Sequence, residues 1–451
     1  MLRLFSLFSF VFLFVIFSTS PVFPYGAIAV DTQGNPFKWT SFPITYNLES
    51  GPFKGAALCQ SLGKSLADAS SSGGGCDLAP GIRESIVSHQ QGVDEVAAIF
   101  DTWKNIGETT LDFVKGPDLP DGGDVNSCNY QDFITLSKSQ TSNSFNPIIF
   151  DSDGEITNSL FGSGASNTIL GFAGPILEDG VGHIVKMMAV FNTHCVEPAD
   201  ESCPSGTSFT EDDVRAVMLH ELGHALGLEH AQVNRDLIKV IRSGQTRLTP
   251  QLAEAIPTMY PILIDTAMRT PHTDDIQSMR HLYGTKNSPH EGTCSLEGDI
   301  QCVACQVNLR ERSEDQNNFV VTSGPETLAL PCVEVVAEHT DPSQSLAVMS
   351  GAEVSNTPSN FSPATGSASY DGPPDCLNGP DPGGCGHFKM DGLVAGETYS
   401  IKIRQVASSL RAGSSISPCY YPLTGFQEDF GMTVTCQAQT THPLGTISTS
   451  P

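Results

Sequence analysis

The chain has 451 residues, too many for one compact domain at about 150 residues each, and its hydrophobic content of 39% is enough to build cores. Its formal charge of −27 argues against nucleic acid and anionic membrane surfaces as partners, because like charges repel. The acidity is read as a solubilising surface.

In chain order, Arg3 and the apolar run Leu4 to Phe17 come first, followed by the small residues Ser18, Thr19 and Ser20 and by Gly26 and Ala27. This is the pattern of a secretory signal peptide over residues 1–27. The run is short of the roughly 20 apolar residues that span a bilayer, so an uncleaved anchor is the lesser alternative. The mature chain is expected to be secreted, extracellular or periplasmic in a Gram-negative host, with no stable membrane span. Thirteen cysteines in an exported chain predict disulfides, with Cys59 and Cys76, and Cys195 and Cys203, as neighbouring candidates. The odd number leaves at least one free or paired outside the chain. Cys302 and Cys305 form a CxxC, read as disulfide half-partners rather than as a zinc or redox site.

Ile44, Tyr46 and Leu48 alternate with polar residues and predict a strand within residues 37–50. Residues 51–80 read as an inserted loop, and 82–106 have helical spacing through Ile86, Val93, Val96, Phe100 and Trp103. TTLDFV predicts a second strand, 117–146 a loop-rich stretch, PIIF (147–150) a third strand, DSDGEIT a turn, and GHIVKMMAVFN (182–192) another strand. Thr210 with Asp213 resembles a capping box, and Glu211, Asp212 and Asp213 suit a positive helix N-terminus. Val214, Val217, Met218, Leu222 and Ala225 continue that helix, and Gly227 stands where a left-handed stop is expected. Residues 232–256 read as a partly helical insertion and 273–284 as a capped helix. Residues 287–293 are a polar linker, and 294–451 a Ser-, Thr-, Gly-, Pro- and Cys-rich β region. In that region GLVAGETYSIKIRQV resembles a late fibronectin type III strand, and Asn360 heads a glycosylation sequon.

The chemistry is carried by HELGHALGLEH, residues 220–230. His220 and His224 are one helical turn apart and leave the same face. Gly227 lets the chain turn at little cost and bring His230 back to the same metal. Three neutral imidazoles leave a fourth tetrahedral position for water, the mark of a catalytic zinc rather than a structural one. Glu221 is not needed as a ligand. It is placed to take the proton of a zinc-acidified water and pass it to a leaving amine. Five fixed positions coincide by chance on the order of 10⁻⁷ per start.

HExxHxxGxxH is the signature of the metzincin metalloproteases, and two further pieces resemble the matrixin branch. PTMYP, with Met259-Tyr260-Pro261, is similar to the matrixin Met-turn, and DDIQSMRHLYG to the matrixin C-terminal helix. WTSFPITYNL and FDTWKNIGETTLDFV are similar to the matrixin start, so the likeness spans roughly residues 37–285. The resemblance implies an α+β metzincin catalytic domain, with a twisted five-stranded mixed sheet and long helices. It also implies a peptide cleft and Met259 beneath the three histidines. Ala231 stands where many matrixins have Ser, the stretch from His230 to Met259 is longer than usual, and Tyr260 offers no astacin-like ligand. No PRCGxPD propeptide or structural-zinc histidine segment is recognisable, and His183 and His194 are read as surface or core residues. LGFAGPIL (170–177) is a candidate edge strand for an extended substrate. Asp151, Asp153 and Glu155 around Gly154 have a spacing open to calcium, but a plain Asp/Gly turn is preferred.

The sequence reading is therefore a signal peptide (1–27), a matrixin-like zinc metalloprotease domain (28–286), a linker (287–293) and a C-terminal all-β, cysteine-rich, sandwich-like domain (294–451). The expected activity is hydrolysis of peptide bonds in proteins, with Zn2+ on His220, His224 and His230, Glu221 as general base, and the C-terminal domain binding substrate or surface. Ca2+ is a secondary possibility. The rivals are a secreted adhesion or binding protein with a non-proteolytic zinc site, and a zinc hydrolase acting on something other than protein.

Overall fold

The computed structural model describes residues 36–51, 53, 80–120, 125–139, 145–179, 182–196, 209–231, 249–285, 292–312, 316–331, 333–350, 361–362, 367–368, 386–405, 423–427 and 431–451. The expected signal peptide, Cys59, Cys76, Cys203, most of the insertion 232–256, most of the linker and Asn360 lie outside them. Packing groups the chain into two compact units. One holds Lys38–Gly227 with Leu263–Thr270, the other Leu228–Ile262 with Pro271–Pro451.

In the first unit, alternating apolar residues form β1 (Ile44–Leu48), and the helical spacing after the first insertion forms α1 (Pro80–Lys104). Val96, Phe100 and Trp103 of α1 are buried, as their common face predicts. Next come β2 (Phe113–Lys115), α2 (Tyr130–Ser139), β3 (Pro147–Asp151) and α3 (Glu155–Phe161). β4 (Gly171–Glu178), β5 (Ile184–Asn192) and α4 (Glu211–Ala225) complete the unit's regular elements. The five strands form one sheet in the order β2-β1-β3-β5-β4. All pairs are parallel except β4 with β5, which is antiparallel. This is the five-stranded mixed sheet that the resemblance implies. β3 is buried at every position, as a central parallel strand must be.

The stretch 117–146 is not all loop. Tyr130, Phe133, Ile134 and Ser137 lie at i, i+3, i+4 and i+7 and make the buried face of α2. One of the four is a serine, which hid the period in the sequence. DSDGEIT does turn, with Gly154 at φ 72°, but it opens directly into α3.

The second unit contains α5 (Pro250–Glu254), α6 (Thr273–Tyr283) and, after residue 292, strands. These are β6 (Thr293–Arg312), β7 (Gln316–Ser323), β8 (Glu326–Ala329), β9 (Val333–Glu338) and β10 (Leu346–Met349). The short β11 (Phe361–Ser362) and β12 (Ser367–Ala368) precede β13 (His387–Val394) and β14 (Thr398–Gln405). β15 (Leu423–Thr424), β16 (Met432–Thr435) and β17 (Thr441–Thr449) end the chain. One sheet runs β10-β9-β14-β16 and another β13-β6-β7-β15, with β8 and β17 also paired to β6. Ile401 and Val335 of the first sheet share one hydrophobic core with Leu296 and Phe388 of the second. Cys294 is bonded to Cys436 across this core, and Cys302 to Cys305 within β6. Cys195 is also disulfide-bonded, and Cys128 is free and exposed.

Candidate metal centre

The helix α4 begins where the sequence predicts. Asp213 N–H donates to Thr210 Oγ1 at 3.2 Å, and Thr210 N–H to Asp213 Oδ2 at 2.8 Å, closing a capping box. Arg215 Nε donates to Glu95 Oε2 at 2.7 Å and ties α4 to α1. Two indoles bond to α4: Trp39 donates to Ala225 O at 3.0 Å, a carbonyl the helix end leaves over, and Trp103 to Leu219 O at 3.1 Å within the helix. Gly227 takes φ 97°, a conformation in which any side chain would be strained, and reverses the chain after the helix.

His220 and His224 leave the same face of α4. Their Nε2 atoms are 3.1 Å apart and their rings stand at 86° to each other. The ring nitrogens of His220, His224 and His230 all lie within 4.8 Å of one another. They are the one group of three or more His, Cys, Asp or Glu side chains among the described residues able to converge on a metal ion. Tetrahedral zinc, with Zn–N bonds of about 2.0–2.1 Å, holds its ligands about 3.3 Å apart, so this donor set fits zinc. Glu229 is buried. It accepts from the His230 backbone N–H at 2.9 Å, and its Oε1 lies 3.3 Å from His230 Nδ1. Burial pushes the Glu229 carboxyl up to about 8.

Glu221 is turned toward β4, the edge strand of the sheet. Burial pushes its carboxyl up to about 8, opposed by a hydrogen bond from the backbone N–H of Ala173. A cation on the neighbouring histidines would draw it back down. Gly171 leaves the room: a Cβ there would stand 3.1 Å from Glu221 Cγ and 3.2 Å from Val190 O.

Met259 is buried at the turn expected of it. Its carbonyl accepts from Ala231 N–H at 2.8 Å, which pins the residue after His230. Asp275, on α6, holds the turn itself. It accepts from Thr258 N–H at 2.8 Å, Met259 N–H at 2.9 Å and His272 N–H at 2.8 Å.

The hydrogen bonds of the acidic residues favour the turn reading over the calcium alternative. Asp151 accepts from Ile156 N–H at 3.0 Å, from Thr157 N–H at 2.8 Å and from the Thr157 hydroxyl at 2.6 Å, so it caps α3. Asp153 accepts from Glu155 N–H at 3.0 Å and Glu155 from Ser127 Oγ at 3.2 Å. Asp151 and Asp153 thus serve the turn, Glu155 reaches Ser127, and the three are not among the convergent groups of the described residues. His183 pairs with Asp179 at 2.6 Å, away from the triad.

Sequence reasoning missed Ala173, Gly171, Glu229 and Asp275. The first two act through main chain and empty space, which leave no side-chain signature. Glu229 and Asp275 lie inside recognised motifs, but nothing in their spacing marks them as anchors.

Two histidines on one helix and a third beyond its glycine turn, with a carboxylate held toward the edge of a mixed sheet, are an arrangement suited to a metallopeptidase. Comparison with protein families narrows the class: residues 161–261, from the end of α3 through the Met-turn, match the matrixin family model. The chain carries a matrixin-like metalloprotease segment. No curated protein matches the chain.

Proposed function

We propose that the protein is a secreted zinc-dependent endopeptidase. Zinc held by His220, His224 and His230 would supply an acidified water and polarise the scissile carbonyl. Glu221 takes a proton from the attacking water on its carboxylate and delivers it to the leaving nitrogen. Ala173 N–H fixes that carboxylate, Glu229 holds the main chain at His230, and the edge of β4 aligns an extended peptide beside them. The observation that carries this reading is the convergence of the three histidine nitrogens with Glu221 anchored to an open strand edge. Export rests on the signal-like residues 1–27. Among the described residues no helix is long and apolar enough to cross a membrane. Residues 294–451 are proposed as an accessory module that binds substrate or surface.

Casein digestion by the purified protein and by Glu221→Ala, each with and without a zinc chelator, tests the reading. Chelator-sensitive cleavage, lost in Glu221→Ala while zinc stays bound, is expected. A zinc-loaded wild type that cuts nothing would favour a binding protein.

A further inference from the structure

The free edge of β4 presents an unusual set of main-chain groups. Asn192 N–H donates to the Leu170 carbonyl at 2.9 Å, and the register pairs Gly171 with Phe191. In an antiparallel ladder, facing pairs alternate between bonded and non-bonded. Phe172 and Gly174 therefore bond to β5, while Gly171, Ala173 and Pro175 turn their main-chain groups outward. The Ala173 contact agrees independently, because its N–H reaches Glu221 and not β5. β4 ends the sheet, and among the described residues no strand pairs with this edge.

Of the three outward positions, Gly171 keeps a main-chain donor. The Ala173 donor is committed to Glu221, and Pro175 has none. All three keep their carbonyls. The edge is therefore rich in acceptors and poor in donors, and it is poorest two residues, about 6.8 Å, beyond the point level with the general base.

We propose that Pro175 determines specificity by denying a hydrogen bond to the substrate carbonyl opposite it. The peptide then binds at that position through its N–H alone. The preferred substrate is an extended peptide whose edge-facing residues carry free N–H groups. At the position opposite Pro175 the carbonyl contributes no binding. This inference rests on the proteolytic reading of the site.

The test uses the full-length zinc-loaded protein and a fluorogenic casein-derived peptide that it cuts. Each amide on either side of the scissile bond is replaced in turn by an (E)-alkene. That change removes one residue's carbonyl and the next residue's N–H, and in a strand these face opposite sides. For the wild type, the analogue lacking the carbonyl opposite Pro175 should keep kcat/KM within about twofold. Analogues that lose a bonded edge-facing group should fall about three- to tenfold, the worth of one net hydrogen bond. Pro175→Ala restores a donor. It should lower KM for the parent peptide about three- to tenfold at unchanged kcat, and that gain should vanish for the analogue without the carbonyl. Equal losses for every alkene in the wild type would overturn the proposal. So would a zinc-loaded, normally stable Pro175→Ala that gains nothing. If Pro175→Ala folds poorly, the wild-type series decides alone. A protein that cuts no peptide at all fails at the earlier step, and the inference falls with the proteolytic reading.

Discussion

Asp275 is the residue whose removal should cost the centre most without touching a metal ligand. Its carboxylate is fully buried and takes three backbone donors, Thr258 and His272 on Oδ2 and Met259 on Oδ1. Asp275→Asn can keep the two Oδ2 bonds but turns an NH2 group against Met259 N–H. The loss is one charge-assisted bond and an orphaned buried donor, about 2 kcal/mol. Asp275→Ala orphans all three donors, and partial relaxation leaves about 3–5 kcal/mol. Against a typical total of about 5–15 kcal/mol, the alanine variant loses a large fraction of stability. With two packing units a single unfolding midpoint is ambiguous, so urea denaturation should be paired with amide exchange read at Thr258 and Met259. Exchange there should accelerate in the order wild type, Asn, Ala. Zinc affinity should fall in the same order, because the Met259 carbonyl holds Ala231 beside His230. Both variants within about 0.5 kcal/mol of wild type, with unchanged exchange at the two amides, would refute the reasoning.

Gly171→Ala should push Glu221, whose Cγ would meet the new Cβ at 3.1 Å. We expect kcat to fall roughly tenfold at full zinc occupancy, and an unchanged kcat would exclude a tight fit. Thr210→Val removes the hydroxyl of the capping box and should cost about 1 kcal/mol in thermal unfolding. Glu178 is pushed up to about 7, first by burial and then by Asp179. The folded state therefore binds this proton more tightly than the unfolded state. The contribution is fully present below the unfolded pKa and is lost as pH rises from about 4.5 through about 7. Relative to Glu178→Gln, the wild type should lose up to about 3 kcal/mol between pH 4.5 and 8, measured by urea unfolding, and parallel curves would remove the effect.

The histidine triad is legible because two of its side chains recur at a helical period and a glycine, whose positive φ few residues take easily, closes the turn to the third. β1, α1 and α4 are legible because their apolar residues keep a period, and β3 and β5 because their apolar runs are nearly continuous, as in buried strands. The losses have equally local causes. α2 spends one of its four buried positions on Ser137, which donates to the Phe145 carbonyl at 2.7 Å, so its stripe looked broken. Asp151 and Asp153 have the oxygen-rich spacing of a cation loop, but the same oxygens serve equally well as acceptors for the N–H groups that open α3. Composition cannot choose between a metal and a helix start, and the register of Ile156 and Thr157 does.

The edge strand shows where side-chain reasoning stops altogether. Gly171, Ala173 and Pro175 occupy alternate, outward positions, and none carries a functional group on its side chain. Gly171 supplies the space that lets Glu221 approach, Ala173 the donor that fixes it, and Pro175 the absence of a donor. A protease that aligns peptides by strand addition must keep an edge open, and an open edge also invites pairing with other chains. A proline in the outward phase reduces that pairing while leaving the carbonyls for a substrate. The same residue would then limit which peptides bind and keep the enzyme from binding itself, so Pro175→Ala should raise the tendency to associate together with substrate affinity.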